Sequence, residues 1–346
     1  MSELNLKEKL PGDFRVTIIY NQPVLPEEHE DYYSELEILE TVEVIEENLI
    51  KSGLVSEKIP LEIDLAPFIQ RLNSNPPHVV LNLFEGFGDF TETEIYLAGL
   101  LEWKKIPYTG SSPGPLFIGR DKLLCKQVLS FHGIPTPKFF QVESLPVAKH
   151  DLAWPRMVKP ASTDASIGID QGSVVTNQKE LEARVQYVLE KYGSPVLVEE
   201  FLDGREFTVA LAGYPEAKAM SPSEIHFHIR DKGLWPIISY DAKWKPDSVE
   251  FDGTPFEYPA KMDPALNAEV QQLALRAFHA VGLRDYGRID LRTNKEGKPF
   301  VIEVNPNSDL HIEAGLAISL DSLGETYPGF LRKLVLGAWN RGKSRH

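Results

Sequence analysis

Acidic and amide side chains recur at two-residue spacing near residues 286–305. Two runs that alternate polar and apolar residues, 287–291 and 300–305, flank a turn-forming segment that contains Gly297. This pattern predicts a β-hairpin. If the hairpin is symmetric about residues 296 and 297, Asp290 lies opposite Glu303 and Arg288 opposite Asn305. Because side chains along a strand repeat every two residues, all four then project from one face.

Two carboxylates and an amide oxygen on one face form the hard, oxygen-rich ligand set that Mg2+ prefers when it holds a nucleotide phosphate. The simpler alternative is a hairpin that shows its acids to water. Glu303, however, stands between Ile302 and Val304 in an apolar strand, where an ionised carboxylate needs a partner or a metal.

Upstream segments could bind the rest of a nucleotide. Lys159 ends an apolar strand and precedes a loop of small and hydroxyl residues, 161–168, that includes Ser166; such a loop can wrap phosphates, or it can be a plain turn. In the apolar strand 196–202, backbone groups could contact an adenine edge, and Glu206 could take ribose hydroxyls; the alternative is a core strand with a turn. Lys243 follows an irregular segment and could reach a transferred phosphate from a lid, or be a solvated loop lysine.

The elements that would position these residues fall into three groups. Strands at 15–20, 78–84 and 106–109 alternate with helices at 34–51 and 91–103, which predicts a parallel sheet. A helix at 121–132 leads to a smaller lobe with strands at 156–159, 173–175 and 196–201 and a helix at 179–191. The remainder holds strands at 207–212 and 224–229, the hairpin, and helices at 265–281 and 321–338.

Composition narrows the class of protein. The chain has 346 residues, a formal net charge of -15 and one cysteine, Cys125. The negative charge disfavours nucleic-acid binding. The charged first twenty residues and the lack of an apolar run of about 18 residues disfavour secretion and membrane spanning. With Cys125 unable to form an intrachain disulfide, we expect a cytoplasmic protein.

Taken in order, these segments resemble the D-alanyl-D-alanine ligase-like family of the ATP-grasp superfamily. The motifs that carry the resemblance are Tyr-Thr-Gly-Ser at 108–111, Asp-Lys at 121–122, Val-Lys-Pro at 158–160, Glu-Phe-Thr-Val-Ala at 206–210, Ala-Lys at 242–243, Gly-Arg-Ile-Asp at 287–290 and Glu-Val-Asn at 303–305. The resemblance implies an α/β and α+β chain with an ATP-grasp fold. It also implies an N-terminal Rossmann-like (pre-ATP-grasp) domain at 1–115, a central nucleotide-binding lobe at 116–204, and a C-terminal lobe for Mg2+ and substrate at 205–346.

The resemblance further implies roles for individual residues. Catalytic roles fall to Arg288, Lys243 and, in a looser alignment, Glu35. ATP contacts fall to Lys122, Lys159, Ser166, Glu199, Phe201, Leu202, Glu206 and Lys243. Mg2+ or Mn2+, as two ions, would be held by Asp290, Glu303 and Asn305. The implied activity is ATP-dependent carboxylate-amine ligation through an acyl phosphate, acting on small molecules, with a homodimer possible.

The substrate end departs from the family pattern. Residues 306–315 replace a Gly-Met-Thr-type loop, Trp244 replaces a tyrosine, Ala165 a serine and Glu85 a histidine. We therefore expect a product other than D-alanyl-D-alanine, formed by an amide or imine-type C-N bond. The alternatives are a nucleotide-binding regulatory protein that lost turnover and an ATP-grasp enzyme with another outcome, such as carboxyphosphate formation or phosphorylation of a substrate.

Four residues have no assigned role on sequence grounds: His226, His228, His311 and Glu313. The two histidines at 226 and 228 alternate in a predicted strand, but a third metal ligand is not evident.

Overall fold

The computed structural model describes residues 10–24, 32–87, 90–213 and 216–343, and within residues 32–35 it describes the backbone alone. No helix in these ranges is long and apolar enough to cross a membrane. The N-terminal elements are β1 (Arg15–Asn21), α1 (Tyr32–Lys51), β2 (Val55–Leu61), α2 (Ala66–Ser74), β3 (Val79–Asn82), α3 (Thr93–Trp103), α4 (Pro113–Arg120) and α5 (Lys122–Phe131). The first sheet is parallel, with strand order β2-β1-β3.

One prediction for this first region needs correction, and two elements were missed. The expected strand at 106–109 is reduced to one parallel bridge between Val80 and Tyr108, since Pro107 has no N–H with which to continue a ladder. Sequence reasoning also missed β2 and α2. β2 is a half-exposed edge strand that contains Pro60, so its apolar alternation is weak.

The central elements form a four-stranded antiparallel sheet with strand order β4-β7-β5-β6. They are β4 (Phe139–Val142), β5 (Arg156–Pro160), β6 (Val174–Val175), α6 (Gln178–Tyr192) and β7 (Val196–Glu200). Valines of β5 and β7 pack against α6, as its helical apolar spacing predicts. Asn177 caps the N-terminus of α6, since its side chain accepts a hydrogen bond from the Glu180 N–H.

The third sheet has the order β11-β10-β8-β12-β13, with β9 paired to β8. Its elements are β8 (Glu206–Gly213), β9 (Lys218–Ala219), β10 (Ser223–Ile225), α7 (Tyr240–Trp244), α8 (Val249–Asp252), β11 (Phe256–Glu257), α9 (Pro264–Val281), β12 (Asp285–Thr293), β13 (Pro299–Asn305), α10 (Gly315–Ile318) and α11 (Tyr327–Lys343). One face of the sheet is covered by α9. The last helix, α11, packs back onto α1 and β3.

Two boundaries here were predicted wrongly. The strand expected at 224–229 ends at Ile225, and residues 228–232 form a 3-10 helix. The helix expected from residue 321 begins at Tyr327, because a 3-10 turn ends at Gly324 in the left-handed conformation (φ 69°). The three sheets span residues 15–82, 139–200 and 206–305, and domain limits at 115 and 204 stay a prediction.

Candidate active site

The predicted hairpin is confirmed, including its register at the acidic end. In the β12–β13 pair, Arg288 lies opposite Asn305 and Asp290 opposite Glu303. A β-bulge between Asp290 and Leu291 shifts the pairing by one residue toward the turn, a feature that alternation alone does not predict. The bulge leaves the four polar side chains beside each other, so the hairpin can present oxygen ligands and a guanidinium to one cleft.

Arg288 and Asp290 bind each other directly. The Arg288 Nε lies 3.0 Å from Asp290 Oδ1, and Nη2 lies 2.9 Å from Oδ2. The carboxylate of Asp290, above all other influences, raises the pKa of the Arg288 guanidinium. The predicted metal ligand and the predicted substrate arginine thus form one forked ion pair in this state.

Glu303 has a different environment. Among the described residues it makes no hydrogen bond or ion pair with a side chain within 4 Å. Burial alone would raise the pKa of its carboxyl, but the surrounding cations Lys122, Arg288, Lys159 and Lys243 outweigh burial and lower it. Glu303 is therefore an ionised acid among four positive charges that come from four elements, α5, β5, α7 and β12.

The lysines reach this point from separate elements. Lys122 is the first residue of α5, and its ammonium donates to the carbonyl of Thr163 in the predicted phosphate loop. Lys243 lies on α7, whose N-terminus is capped by the Ser239 hydroxyl. Lys243 is accessible to solvent, yet desolvation within the cleft, followed by the charge of Arg288, lowers the pKa of its ammonium.

Glu199 is fully engaged by lysines. Its Oε1 lies 2.7 Å from Lys159 Nζ, and its Oε2 lies 2.6 Å from the ammonium of Lys126. Burial opposes ionisation, but the two ammonium groups lower the pKa of Glu199 to about 2. An adenine contact from Glu199 would therefore have to use its backbone.

The remaining residues predicted to contact the nucleotide lie near the end of β7. Phe201 is buried and packs edge-on against Trp235 at a ring distance of 5.4 Å, and Leu202 is buried beside it. Glu206 accepts a hydrogen bond from Arg292 at 3.1 Å. Its burial outweighs the Arg292 charge and raises the pKa of its carboxyl.

The predicted phosphate loop is tied to the predicted lid. Ala165 and Ser166 both adopt positive φ (54° and 62°), which is strained for residues with a Cβ. The Ser166 hydroxyl donates to Ile238 O at 3.0 Å, and the Trp244 indole donates to Ala165 O at 2.9 Å. The two segments are thus closed against each other, and the phosphate contact of Ser166 stays a prediction.

Asn305 is linked to the substrate end through Asn307. Asn305 Oδ1 accepts from the Asn307 N–H at 3.0 Å, and the Asn307 amide donates to Glu94 Oε2 at 3.0 Å and to the Phe84 carbonyl at 3.2 Å. Glu94 in turn binds Arg120 at 2.7 Å. This series of hydrogen bonds fixes the loop that carries Glu85. Sequence reasoning missed it because the residues involved are far apart in the sequence.

Glu85 opens into the cleft. It is accessible to solvent, and desolvation, together with the negative charges of Asp309 and Glu94, raises the pKa of its carboxyl to about 7. Glu35 belongs to α1, but its side chain lies outside the described residues, so its catalytic role stays a prediction.

His226 is part of an ion-pair network, and the His228 ring stacks on it. The ligand atoms of Glu224, His226 and Glu257 all lie within 4.8 Å of one another, so the structure supplies neighbours that the sequence did not reveal. Both Glu224 oxygens, however, bind Arg205 at 2.7 and 2.5 Å, and Lys261 binds Glu257. The acids are already neutralised without an ion.

Cys125 is buried, and burial raises the pKa of its thiol to about 12, so the thiol stays protonated near neutral pH. At the other end of the cleft, the His311 N–H donates to Asp309 at 2.7 Å and the Glu313 N–H donates to the His311 ring at 3.2 Å. These bonds shape the turn before α10.

Comparison with known proteins gives a consistent result. Residues 128–335 match the family model described as "D-ala D-ala ligase C-terminus". The chain is 31% identical over 248 residues to D-alanine–D-alanine ligase of Marinomonas sp. (strain MWYL1), covering 70% of this chain and 72% of that protein. It is also 31% identical over 258 residues to the uncharacterized protein y4sG of Sinorhizobium fredii, covering 74% and 73%.

Among solved structures, D-alanine–D-alanine ligase from Bacillus anthracis complexed with ATP superposes with a TM-score of 0.72 at 22% identity, covering 96% of this chain and 100% of that chain. This likeness confirms the predicted ATP-grasp fold.

Proposed function

Since the chain belongs to the D-alanine–D-alanine ligase family of ATP-grasp ligases, we propose that it joins a small amino acid to a second substrate other than D-alanine. The observation that carries this proposal is the convergence of Lys122, Lys159, Lys243 and Arg288 on the ionised Glu303. Such a cluster fits a triphosphate with its metal ions. Relatives in the family are named for D-alanine–D-alanine ligation.

In this proposal Lys122, Lys159 and the Ser166 loop bind the phosphates, and Lys243 binds the phosphate that is transferred. Adenine lies beside Phe201, Leu202 and the backbone of Glu199, and the ribose contacts Glu206. The apolar cluster of Met157, Ile169, Phe201 and Ile237 beside Trp235 gives a base an apolar wall.

Asp290, Glu303 and Asn305 would hold two Mg2+ or Mn2+ ions. The donors fit these ions because all are carboxylate or amide oxygens, and because Glu303 is ionised without a side-chain partner within 4 Å among the described residues. When bound, the ions supply charge neutralisation that lets an anionic carboxylate approach a phosphate.

The chain's own residues then define the steps. A substrate carboxylate oxygen attacks the γ-phosphorus, the bond to ADP breaks, and an acyl phosphate forms. The amine of the second substrate adds to the acyl carbon, Arg288 binds the oxyanion, and phosphate departs while the amine loses a proton. The predicted lid, residues 231–244, which is hydrogen-bonded to the phosphate loop, would keep water from the acyl phosphate.

The second substrate is proposed to differ because the polar groups around it differ. Glu85, Trp244 and Ala165 stand where the resemblance places histidine, tyrosine and serine. In this structure Trp244 uses its indole N–H for Ala165 O, so this bond holds the loop and is not directed at a substrate. A site that lacks the matching hydrogen bonds discriminates strongly against the ligand that needs them.

The test is the mass of the product. Purified protein, Mg-ATP and a pool of small amino acids should yield an adduct, with ADP and phosphate released only when both substrates are present. No adduct from any pool member, with ATP hydrolysis unchanged by added amino acids, would refute the ligase. Light scattering on the same preparation tests the proposed homodimer. The proposed location is the cytoplasm, where ATP is available.

The alternative is a regulatory protein that binds ATP and has lost turnover. Glu303→Ala separates the two functions, because a ligase loses Mg2+-dependent turnover whereas a binding protein keeps its partner. The presence of an ionised Glu303 among four cations favours the ligase, because this arrangement is the one proposed for Mg2+-dependent turnover.

A further inference from the structure

A second lysine lies behind the nucleotide lysine Lys159. Lys126, on α5, is 2% exposed. Its ammonium is 2.6 Å from Glu199 Oε2 and donates to Thr136 Oγ1 at 2.8 Å. The other oxygen of Glu199 is 2.7 Å from Lys159. One carboxylate therefore bridges two ammonium groups in a buried row.

The two lysines are not equivalent. The Lys159 side chain is 18% exposed, whereas that of Lys126 is 3% exposed. The negative charges of Glu303 and Glu206, two acids of the cleft, also help to raise the pKa of the Lys159 ammonium. Only Lys159 can contact a bound nucleotide, and any effect of Lys126 must act through Glu199.

The charge of the row explains why a second lysine is needed. Without Lys126, Glu199 would neutralise Lys159 as a simple pair, and the cleft would lose one positive charge beside the phosphates. With Lys126 the row carries two positive charges and one negative charge. Burying an ammonium is costly unless it is paired and hydrogen-bonded, and Lys126 has both kinds of partner.

We propose that Lys126 is a positioning residue that neutralises Glu199 and thereby leaves the charge of Lys159 available to the triphosphate. This inference deepens the proposed function, because it requires that Lys159 binds phosphate. It concerns affinity for the nucleotide and does not depend on the identity of the amino-acid substrates.

A charge cycle tests it by calorimetric titration of the full-length chain with Mg-ATP and, separately, adenosine. The row carries a net charge of +1 in the native chain, 0 in Lys126→Met, +2 in Glu199→Gln and +1 in the double variant. Lys126→Met should weaken Mg-ATP binding about tenfold or more, with adenosine changed less than about twofold. The double variant should recover to within about threefold of the native chain, and Lys126→Arg should bind Mg-ATP as the native chain does.

Equal losses for Mg-ATP and adenosine in Lys126→Met, or a double variant weaker than both single variants, would overturn the inference and assign Lys126 to packing. If Lys126→Met does not fold, the double variant carries the test alone: recovery supports the inference, and weak Mg-ATP binding with native adenosine binding refutes it. Failure of the native chain to bind Mg-ATP would refute the proposed function instead.

Discussion

Replacing Asp290 by Asn separates ion binding from fold stability. The substitution keeps the shape of the side chain but removes its charge, so the fork at 2.9 and 3.0 Å from Arg288 becomes a single hydrogen bond from the guanidinium to an amide oxygen. Charge-assisted bonds contribute about 1.5–3 kcal/mol, and Asn retains one acceptor. Because the Arg288 side chain is 32% exposed, water compensates part of the loss. We expect the free energy of unfolding to fall by about 2 kcal/mol.

Asp290→Asn should also weaken the binding of Mg-ATP, which is measured as a loss of the stabilisation that the nucleotide provides. At one hundred times Kd, Mg-ATP stabilises the native chain by about 2.7 kcal/mol, and a hundredfold weaker Kd at the same concentration leaves only about 0.4 kcal/mol. Thermal unfolding with and without Mg-ATP measures this difference. In Asp290→Asn, the nucleotide-induced rise in unfolding temperature should nearly vanish, together with Mg2+-dependent turnover.

Glu224→Gln is the matched control. It breaks a fork of similar geometry, with Arg205 at 2.7 and 2.5 Å, in the same sheet but at the histidine cluster. It should lower the stability by a similar amount and keep the full rise with Mg-ATP. A full rise in Asp290→Asn would show that Asp290 does not hold the ion, and an equal loss in Glu224→Gln would show that the assay reports general damage.

Three further changes probe the lid, the substrate end and the hairpin. Trp244→Phe removes the bond to Ala165 O (2.9 Å) and should raise the KM for ATP about threefold to tenfold; an unchanged KM would contradict a role for this bond in holding the loop. The pKa of Glu85 is raised to about 7, so its carboxyl is protonated below that pH and ionised above it; affinity for an anionic substrate should fall as the pH rises through 7, and Glu85→Gln should abolish this step in the pH profile of kcat/KM. Gly287→Ala would bring a Cβ within 2.5 Å of Leu283 Cδ2 and should cost about 1–3 kcal/mol in urea unfolding, whereas a smaller loss would show that the leucine relocates easily.

The sequence was sufficient to predict the pairing of Asp290 with Glu303, because a strand has a two-residue period and the turn lies close by. Local periodicity likewise identified α1, α6 and α9. The edge strand β2 and the start of α11 were missed or misplaced because their boundaries depend on tertiary contacts and on the conformation of single residues such as Gly324.

The supporting residues of the site were harder to predict. Lys126 stands four residues after Lys122 on one helix, a spacing that places both on the same side, and this was the available signal. Its partner Glu199 comes from a strand of the central sheet, and Glu94 reaches Arg120 from another helix. No local pattern encodes such pairs, since only the fold brings them together.

The charge of the cleft resolves an apparent conflict in the chain. With a net charge of -15, the molecule as a whole repels an anionic nucleotide. Around the predicted nucleotide and metal residues, however, six cations (Lys122, Lys126, Lys159, Lys243, Arg288 and Arg292) face four acids (Glu199, Glu206, Asp290 and Glu303), a local excess of two positive charges. Because the field inside a cleft is set by its nearest charges and is screened little by salt, this excess favours a triphosphate where the rest of the surface does not. Glu199, Asp290 and Glu206 are each paired with a cation, and the charges of four cations lower the pKa of Glu303, so the positive excess is kept without leaving a carboxylate uncompensated.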